Sequence, residues 1–244
     1  MSSNDLKIDD DVQETKDSLG GSGYVWDSAI YPVLVDLAYQ SKSAGGAIGV
    51  NLVLKGEDGR ELRNTLWVKS GPNAKTPNAT YYVNAKGDKF TLPGMNHANA
   101  LALLTTGKDL NDLDKEEKVV KLWDAAAGGE VNTKVEVFTE LLQQRIDVGI
   151  IKQIVNKQAK GDDGKYRPTN ETRDENEIDK MFRAEDGLTV TEIKAGETEP
   201  EFYAAWEEKW TGVVKNKVKT IAGSGTSGGP AGAPSKTKKL FPTG

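Results

Sequence analysis

The chain contains no cysteine and a single histidine, His97, among its 244 residues. Without cysteine it can form no disulfide, no thiolate nucleophile and no zinc–thiolate centre. One histidine also leaves no Ser-His-Asp triad to assign, and we interpret His97 as a surface or cap-adjacent residue without a catalytic role. The sequence therefore predicts a protein that is not an enzyme and that holds no metal ion or other cofactor.

Long apolar runs are also missing. No segment is long enough to span a membrane, and the polar, acidic beginning does not match a signal peptide. We therefore expect a cytoplasmic protein. Hydrophobic residues make up 36% of the chain and the mean hydropathy is -0.56, which is low for a globular protein. This composition predicts one domain with long loops and tails.

The net charge of -5 does not favour a nucleic-acid-binding protein, but the charges are unevenly distributed. Residues 1–23 are acidic and predicted to be disordered, and residues 24–222 form the expected domain. From position 223 a linker rich in Gly, Ser and Pro begins, and no acidic residue follows Glu208. The linker ends in a basic and apolar peptide, which we predict to bind a protein partner through Lys238, Lys239, Leu240 and Phe241.

Three segments near the N-terminus alternate between apolar and polar residues, as strands with one buried face do. They are Tyr31–Gln40, Ala47–Leu54 and Glu61–Ser70. The Asp58-Gly59 dipeptide predicts a tight turn that joins the second and third segments as an antiparallel hairpin. In the first strand the residues predicted to share one face are Tyr31, Val33, Val35, Leu37 and Tyr39.

Later segments predict a mixture of helices and strands. Asn96 is the expected cap of the first helix, and a capping-box pattern at Asp114 and Glu117 predicts a second. Thr198 and Glu201 form a similar pattern before a helix whose aromatic residues, Phe202, Tyr203, Trp206 and Trp210, are predicted to be core. The predicted helices are Ala98–Thr106, Asp114–Trp123, Glu175–Arg183 and this aromatic helix, and the predicted strands are Lys134–Leu142, Gln144–Lys157 and Leu188–Lys194.

The third predicted strand carries the candidate binding site. Its second face presents an aromatic residue, Trp67, between cations, which is the arrangement that a groove for single-stranded nucleic acid requires. The alternative is that Trp67 packs under a helix and that the cations are only solvated surface. The predicted nucleic-acid-binding residues are Arg60, Arg63, Trp67, Lys69, Lys75, Tyr81, Tyr82, Lys86 and Lys89. A second basic lip of the same groove is predicted from Lys152, Lys157, Lys165, Tyr166 and Arg167, with a solvated hairpin tip as the alternative.

Two other classes of function stay open. Asp186, Glu192 and Lys194 follow an acid–strand–Glu-x-Lys order that resembles the metal site of restriction-type nucleases, in which carboxylates hold magnesium and the lysine helps to activate water. The third interpretation is a protein adaptor that uses the acidic beginning and the tail as docking ends.

The order of strand, hairpin, strand, helical insert Ala98–Trp123 and two further strands matches an OB-fold, a five-stranded barrel with a helix between strands three and four. Three segments, Tyr31–Leu37, Gly46–Lys69 and Gly94–Leu110, resemble the single-stranded DNA-binding proteins of tailed bacteriophages. The resemblance implies an OB-fold-like, mainly β protein with helical insertions. It also implies a role in coating single-stranded DNA without sequence preference during phage DNA replication and recombination, in the cytoplasm of the bacterial host. Its tail is expected to recruit replication or recombination proteins, although the tail is basic here and acidic in that family. The oligomeric state stays open.

Overall fold

The computed structural model describes residues 25–124, 126–162, 164 and 166–221. The predictions made for the acidic segment 1–23, for Lys165 and for the tail peptide Lys238–Phe241 fall outside these residues. Within the described part of the chain, no helix has the length and apolar character needed to cross a membrane.

The described chain is mainly β with a few helices, as predicted. Its strands are β1 (Ala29–Lys42), β2 (Ile48–Gly56), β3 (Glu61–Lys69), β4 (Tyr81–Val83), β5 (Lys89–Thr91), β6 (Lys115–Asp124), β7 (Gly129–Phe138), β8 (Arg145–Lys160), β9 (Tyr166–Phe182) and β10 (Val214–Asn216). Its α-helices are α1 (Pro93–Thr106), α2 (Val190–Ala195) and α3 (Glu201–Trp210), with 3-10 turns at Leu110–Asp112 and Thr139–Leu141.

Strand β1 is paired along both edges. One edge pairs antiparallel with β2, which in turn pairs with β3. The other edge pairs with β8 over Ala29–Leu34 and with β7 at Tyr39 and Gln40. The main order is β10-β8-β1-β2-β3, with β9 on β8 and β6 on β7. The result is an open sheet from which two hairpins extend.

The predicted β2–β3 hairpin is confirmed. Gly59 has the positive φ, 80°, that its tight turn requires, and the Asp58 carboxylate accepts a hydrogen bond from the Arg60 backbone N–H at 2.9 Å. The turn fixes a register in which Leu54 faces Leu62 and Val50 faces Leu66. All four side chains are buried in the core.

The predicted alternation of β1 is wrong after Val35, because the strand contains a β-bulge. Val35 pairs with Leu54, but the next paired residue is Leu37, opposite Val53. Asp36 is therefore an extra residue that reverses the faces of everything after it. Ala38 is buried in the core, whereas Leu37 and Tyr39 lie on the opposite face with Val53.

Helix α1 covers the core side of the sheet. It begins at Pro93, five residues before the predicted start, because proline suits the first helical position. The N-cap is Leu92 rather than Asn96, and Gly107 ends the helix with φ 75°. Its core-facing residues are Ala98, Leu101, Ala102 and Leu104.

Two predicted helices are strands. Lys115–Asp124 is β6, which pairs with β7 over its whole length, so the capping-box pattern at Asp114 and Glu117 is coincidental. Glu175–Arg183 falls largely in β9, where a bulge separates the pairs Ile150–Ile178 and Gly149–Lys180. The extra residue, Asp179, returns Met181 to the same face as Ile178, which imitates the three-residue spacing of a helix.

The segment Leu188–Lys194 is not the predicted strand, because α2 begins inside it. Thr189 and Glu192 form a complete capping box, and Gly196 ends the helix with φ 76°. Helix α3 lacks the predicted Thr198–Glu201 box and has Pro200 at its N-cap. It places Trp206 in a second small core with Ile151 and Phe182. Tyr203 and Trp210 pack against this core, whereas Phe202 remains 41% exposed.

Gly94 tests the contact between α1 and β3. A Cβ atom at Gly94 would stand 2.5 Å from the backbone nitrogen of Trp67 and closer still to its carbonyl oxygen. We expect Gly94→Ala to lower the free energy of unfolding by about 1–3 kcal/mol, because backbone must move to relieve the overlap. Urea unfolding measures this change.

Gly45→Ala is the matched control, because its new Cβ would meet only the Ser43 hydroxyl at 3.8 Å. Its expected effect is small. Equal stabilities of the Gly94 variant and the parent chain would contradict the close packing of α1 on β3.

Candidate nucleic-acid interface

The candidate interface is the face of β1, β2 and β3 that points away from α1, which we call the open face. On β3, the core side carries Leu62, Leu66 and Val68. The alternate residues of β3 from Arg63 to Trp67 therefore lie on the open face, as predicted. The pairing of β3 with β2, and of β2 with β1, places residues of β2 and β1 beside these β3 residues. The open face comprises Leu37, Tyr39, Ser41, Gly49, Asn51, Val53, Arg63, Thr65 and Trp67. The prediction for Lys69 is wrong in this respect, because a bulge at Val68 pairs Lys69 with Ile48, whose side chain packs against the core.

Trp67 does not pack under a helix, because only its backbone contacts α1. The side chain is 46% exposed and lies beside Gly49, its pairing partner on β2. A Cβ at Gly49 would stand 3.2 Å from two carbon atoms of the indole ring. Because Gly49 has no side chain, the indole ring of Trp67 can lie close to the sheet. The remaining surface of the ring is accessible to a ligand.

A chain of polar side chains crosses the three strands beside Trp67. The Thr65 hydroxyl donates to the Asn51 carbonyl oxygen at 2.7 Å, and the Asn51 amide donates to the Ser41 hydroxyl at 2.6 Å. These residues are only partly buried. Because each side chain is held by its neighbour, the surface next to the indole ring is preorganised.

Arg63 and Tyr39 form the next part of the open face. Arg63 makes an exposed ion pair with Glu61 at 3.0 Å, and such pairs contribute little stability. Burial raises the pKa of Tyr39, and the positive charge of Arg63 opposes this rise. Arg63 therefore lies near enough to influence Tyr39, a residue that sequence analysis placed on the wrong face.

A small hairpin formed by β4 and β5 follows β3 and adds further aromatic residues. The rings of Tyr82 and Phe90 stack at a centroid distance of 5.7 Å, and both are more than 40% exposed. The Lys89 ammonium lies 4.9 Å from the Tyr81 ring centroid. Phe90 was missed by sequence analysis, although it is the expected cross-strand partner of a hairpin aromatic.

Three predicted cations that follow Trp67 in the chain are not neutralised by carboxylates. No salt bridge within the described residues involves Lys69, Lys75 or Lys86, and the last two are fully on the surface. Arg60 is different, because it pairs with Asp58 and lies 4.9 Å from the ring centroid of buried Trp26. Arg60 therefore supports the β2–β3 turn.

The second group of predicted binding residues, on β8 and β9, does not lie beside the open face. Strands β8 and β9 extend beyond Ala29, whereas Trp67 is level with Ser41 at the opposite end of β1. Lys152 pairs with Asp27 at 3.3 Å and Lys157 with Glu171 at 3.0 Å. Two other residues of the predicted group, Tyr166 and Arg167, are exposed near the tip of this hairpin.

A groove of about 1140 Å³ lies between the β4–β5 hairpin and the helices α1 and α2, and Tyr82, Lys89 and Phe90 are among the residues that line it. Its lining mixes cations such as Lys180 and Lys194 with the carboxylates of Asp109 and Asp112. His97 also lines it; burial lowers the pKa of His97, and its Nε2 lies 3.1 Å from the Asp179 carbonyl oxygen. This mixed charge suits a phosphate backbone less well than the open face does.

The carboxylates of the nuclease hypothesis are engaged in local hydrogen bonds. Asp186 pairs with Arg183. Glu192 accepts from the Thr189 N–H at 2.8 Å, the Thr189 hydroxyl at 2.7 Å and the Phe202 N–H at 2.8 Å. Among the described residues no group of three or more His, Asp or Glu is arranged to hold a metal ion.

Comparison with known proteins adds no relative: no protein-family model matches the chain, and no curated protein matches it either. The candidate function therefore depends on the residues described above.

Glu192 provides a test of stability because it joins α2 to α3. Burial raises its pKa, but the hydrogen bonds from Thr189 and Phe202 outweigh burial and hold the pKa below its ordinary value of 4.5. A lowered folded-state pKa stabilises the fold above pH 4.5, and this contribution is lost as the pH falls through the folded-state value. We expect Glu192→Gln to destabilise the protein by about 1–3 kcal/mol at neutral pH.

The stability difference between Glu192→Gln and the parent chain should shrink on acidification, because both residues are then neutral. Urea unfolding at a series of pH values measures it. Exposed Glu197, the next glutamate after α2, gives the control Glu197→Gln, which should have little effect. A difference that is independent of pH would contradict the assigned role of the Glu192 carboxylate.

Proposed function

We propose that this protein binds single-stranded DNA without sequence preference through the open face and the adjoining β4–β5 hairpin. The observation that carries the proposal is the half-exposed indole of Trp67, held beside Gly49 on the open face; the lysines that follow it in the chain, Lys69, Lys75 and Lys86, make no salt bridge within the described residues. Base stacking and phosphate neutralisation are the two interactions that such binding uses.

Each part of the surface has a separate role. Trp67 stacks on a base, and Tyr81 and Tyr82 offer further rings along the strand. Lys75 and Lys86 neutralise phosphates, together with Arg63, Lys89 and Lys69, which lies at the end of the edge strand β3. Stacking and charge neutralisation are available to every base, which accounts for the absence of sequence preference.

Single-stranded DNA fits the open face better than a duplex does. A stacking side chain needs the plane of a base, and in a duplex these planes are covered by neighbouring base pairs. Trp67 lies on an open strand face and not at the tip of an inserted helix. Duplex binding should therefore be weak and limited to phosphate contacts.

The order of the elements supports an OB-fold-like arrangement. Strands β1, β2 and β3 form a meander, α1 follows β3, and β7 and β8 return to β1. OB-folds place their helix after strand three. The resemblance to tailed-bacteriophage proteins extends the proposal to DNA replication and recombination in the bacterial cytoplasm, with replication or recombination proteins as partners of the tail peptide.

The two rival functions have weaker support. The nuclease hypothesis requires Asp186 and Glu192 to bind magnesium, yet their oxygens already accept hydrogen bonds from Arg183, Thr189 and Phe202. The adaptor hypothesis predicts no DNA affinity at low salt. Fluorescence anisotropy with labelled oligo-dT and a matching duplex separates the adaptor from the DNA-binding protein.

Trp67→Ala tests the stacking contact. We expect this variant to lose about 1–3 kcal/mol of affinity for single-stranded DNA, which is the usual contribution of one stacked base. The side chain is half-exposed and outside the core clusters, so the fold should tolerate its loss. Anisotropy titrations measure the affinity, and circular dichroism checks the fold.

Tyr166→Ala is the matched control for Trp67→Ala. Tyr166 is also a large exposed aromatic residue, at 69%, but it lies at the far end of the sheet. Its removal should leave the affinity unchanged. If Tyr166→Ala loses affinity and Trp67→Ala does not, the interface lies on the β8–β9 hairpin and the proposed site is wrong.

The unpaired lysines predict a change in salt dependence. Each phosphate contact contributes about 0.7 to the slope of log affinity against log salt for single strands. The triple variant Lys69→Ala, Lys75→Ala, Lys86→Ala should therefore reduce the magnitude of the slope by roughly 2. Anisotropy titrations across a salt series measure it.

A control with the same charge change uses lysines that are already paired. Lys108, Lys118 and Lys157 pair with Glu140, Glu116 and Glu171, respectively. Their triple alanine variant should keep most of the slope of the parent chain. Equal losses in the two triple variants would show that affinity follows net charge and not this site.

A further inference from the structure

The hairpin of β6 and β7, which we call the β6–β7 arm, has one edge along which no other strand of the described chain pairs. Its attachment to β1 involves only the pairs of Tyr39 and Gln40 with β7. Strand β6 pairs with β7 alone among the described strands. A free edge of ten residues presents unpaired N–H and C=O groups that can add another strand.

The arm also exposes large apolar side chains. Val119 is 60% exposed and Trp123 is 65% exposed. Both lie on one face of β6 with Lys115, Glu117 and Lys121, as strand alternation dictates. A two-stranded hairpin is marginally stable alone in water, so a partner strand along β6 would both cover these residues and support the arm.

We propose that β6 pairs antiparallel with β6 of a second copy of this chain, about a twofold axis that passes through Val119. In this register Val119 faces the partner's Val119. Glu117 faces the partner's Lys121, and Lys121 faces the partner's Glu117. Lys115 then lies opposite the partner's Trp123. The twofold axis makes every favourable pair occur twice, as an isologous interface requires.

Neighbouring registers that keep the same faces together are less favourable. An axis through Lys118 places two Lys118 residues opposite each other and sets Lys115 against the partner's Lys121. An axis through Val120 sets Glu116 against the partner's Asp124 and Glu117 against the partner's Trp123. Like charges directly opposite each other destabilise a sheet, so the Val119 register is selected by the charge order of β6.

The charged groups that this register uses are accessible. Glu117 binds Lys134 through Oε1 at 2.7 Å, while 65% of its side chain remains exposed, so its second oxygen can accept from another lysine. Lys121 is exposed and takes part in no salt bridge within the described residues. Both groups can therefore meet across the axis without breaking the arm.

The pairing joins two arms into a four-stranded sheet of order β7-β6-β6-β7. It uses the strand edge of β6, so the open face of each copy is not consumed. The dimer goes beyond the proposed function, because it depends on the arm and not on DNA binding. It would place two DNA interfaces in one particle.

Charge reversal tests the register by analytical ultracentrifugation without DNA. The parent chain should dimerise. Glu117→Lys and Lys121→Glu should each weaken dimerisation at least about tenfold, because two attractive pairs become repulsive. The double variant should restore the dimer, although it still lacks the Glu117–Lys134 pair. Glu130→Lys makes the same charge change on β7, away from the free edge, and should dimerise like the parent chain.

Because the chain contains no cysteine, a single introduced cysteine can test the register by disulfide cross-linking. Residues opposite each other at the axis are close enough for a disulfide. Val119→Cys should therefore give a covalent dimer on mild oxidation, whereas Asn132→Cys on β7 should not. A parent chain that is monomeric at every concentration overturns the proposal. The proposal is also overturned if the chain dimerises but neither single charge reversal weakens the dimer and Val119→Cys forms no cross-link.

Discussion

The pairing of β1 along both of its edges is the constraint on which the rest of the structure depends. One edge holds the β2–β3 meander, and the other holds β8 and β7 one after the other. Because β8 leaves β1 at one end and β7 at the other, their hairpins extend in opposite directions. The candidate interface and the β6–β7 arm consequently lie near the Lys42 end of β1, and the β8–β9 hairpin lies beyond the Ala29 end.

Bulges explain where sequence periodicity succeeds and where it fails. The β2–β3 hairpin was predictable because its Asp-Gly turn is local and its alternation is regular from the turn to the Gly49–Trp67 pair, beyond which a bulge displaces Lys69. The extra residue Asp36 moves Tyr39 to the open face, and Asp179 gives β9 the spacing of a helix. A bulge is fixed by the neighbouring strand, so no local pattern reveals it. The capping box of Thr189 and Glu192 was a local signal, but it was overlooked.

Only part of the candidate site could be predicted for a similar reason. Alternation places Arg63, Trp67 and Lys69 on one face of β3, but the bulge at Val68 leaves only Arg63 and Trp67 together and pairs Lys69 with Ile48. Sequence proximity could not show which cations are neutralised, because the carboxylate that pairs with Lys157 is Glu171 on the neighbouring strand. The contribution of Gly49 was equally hidden, since it depends on its register with Trp67.

This distribution of ion pairs reconciles the acidic net charge of the chain with the proposed nucleic-acid ligand. The net charge of -5 repels DNA only weakly at a distance, because physiological salt screens charges over roughly 8 Å. At contact distance the local charges decide. Asp27 and Asp174 neutralise Lys152 and Glu171 neutralises Lys157, whereas Lys69, Lys75 and Lys86 make no salt bridge within the described residues. A strand of DNA would therefore be attracted to one end of the sheet, where the exposed indole also offers a surface for stacking.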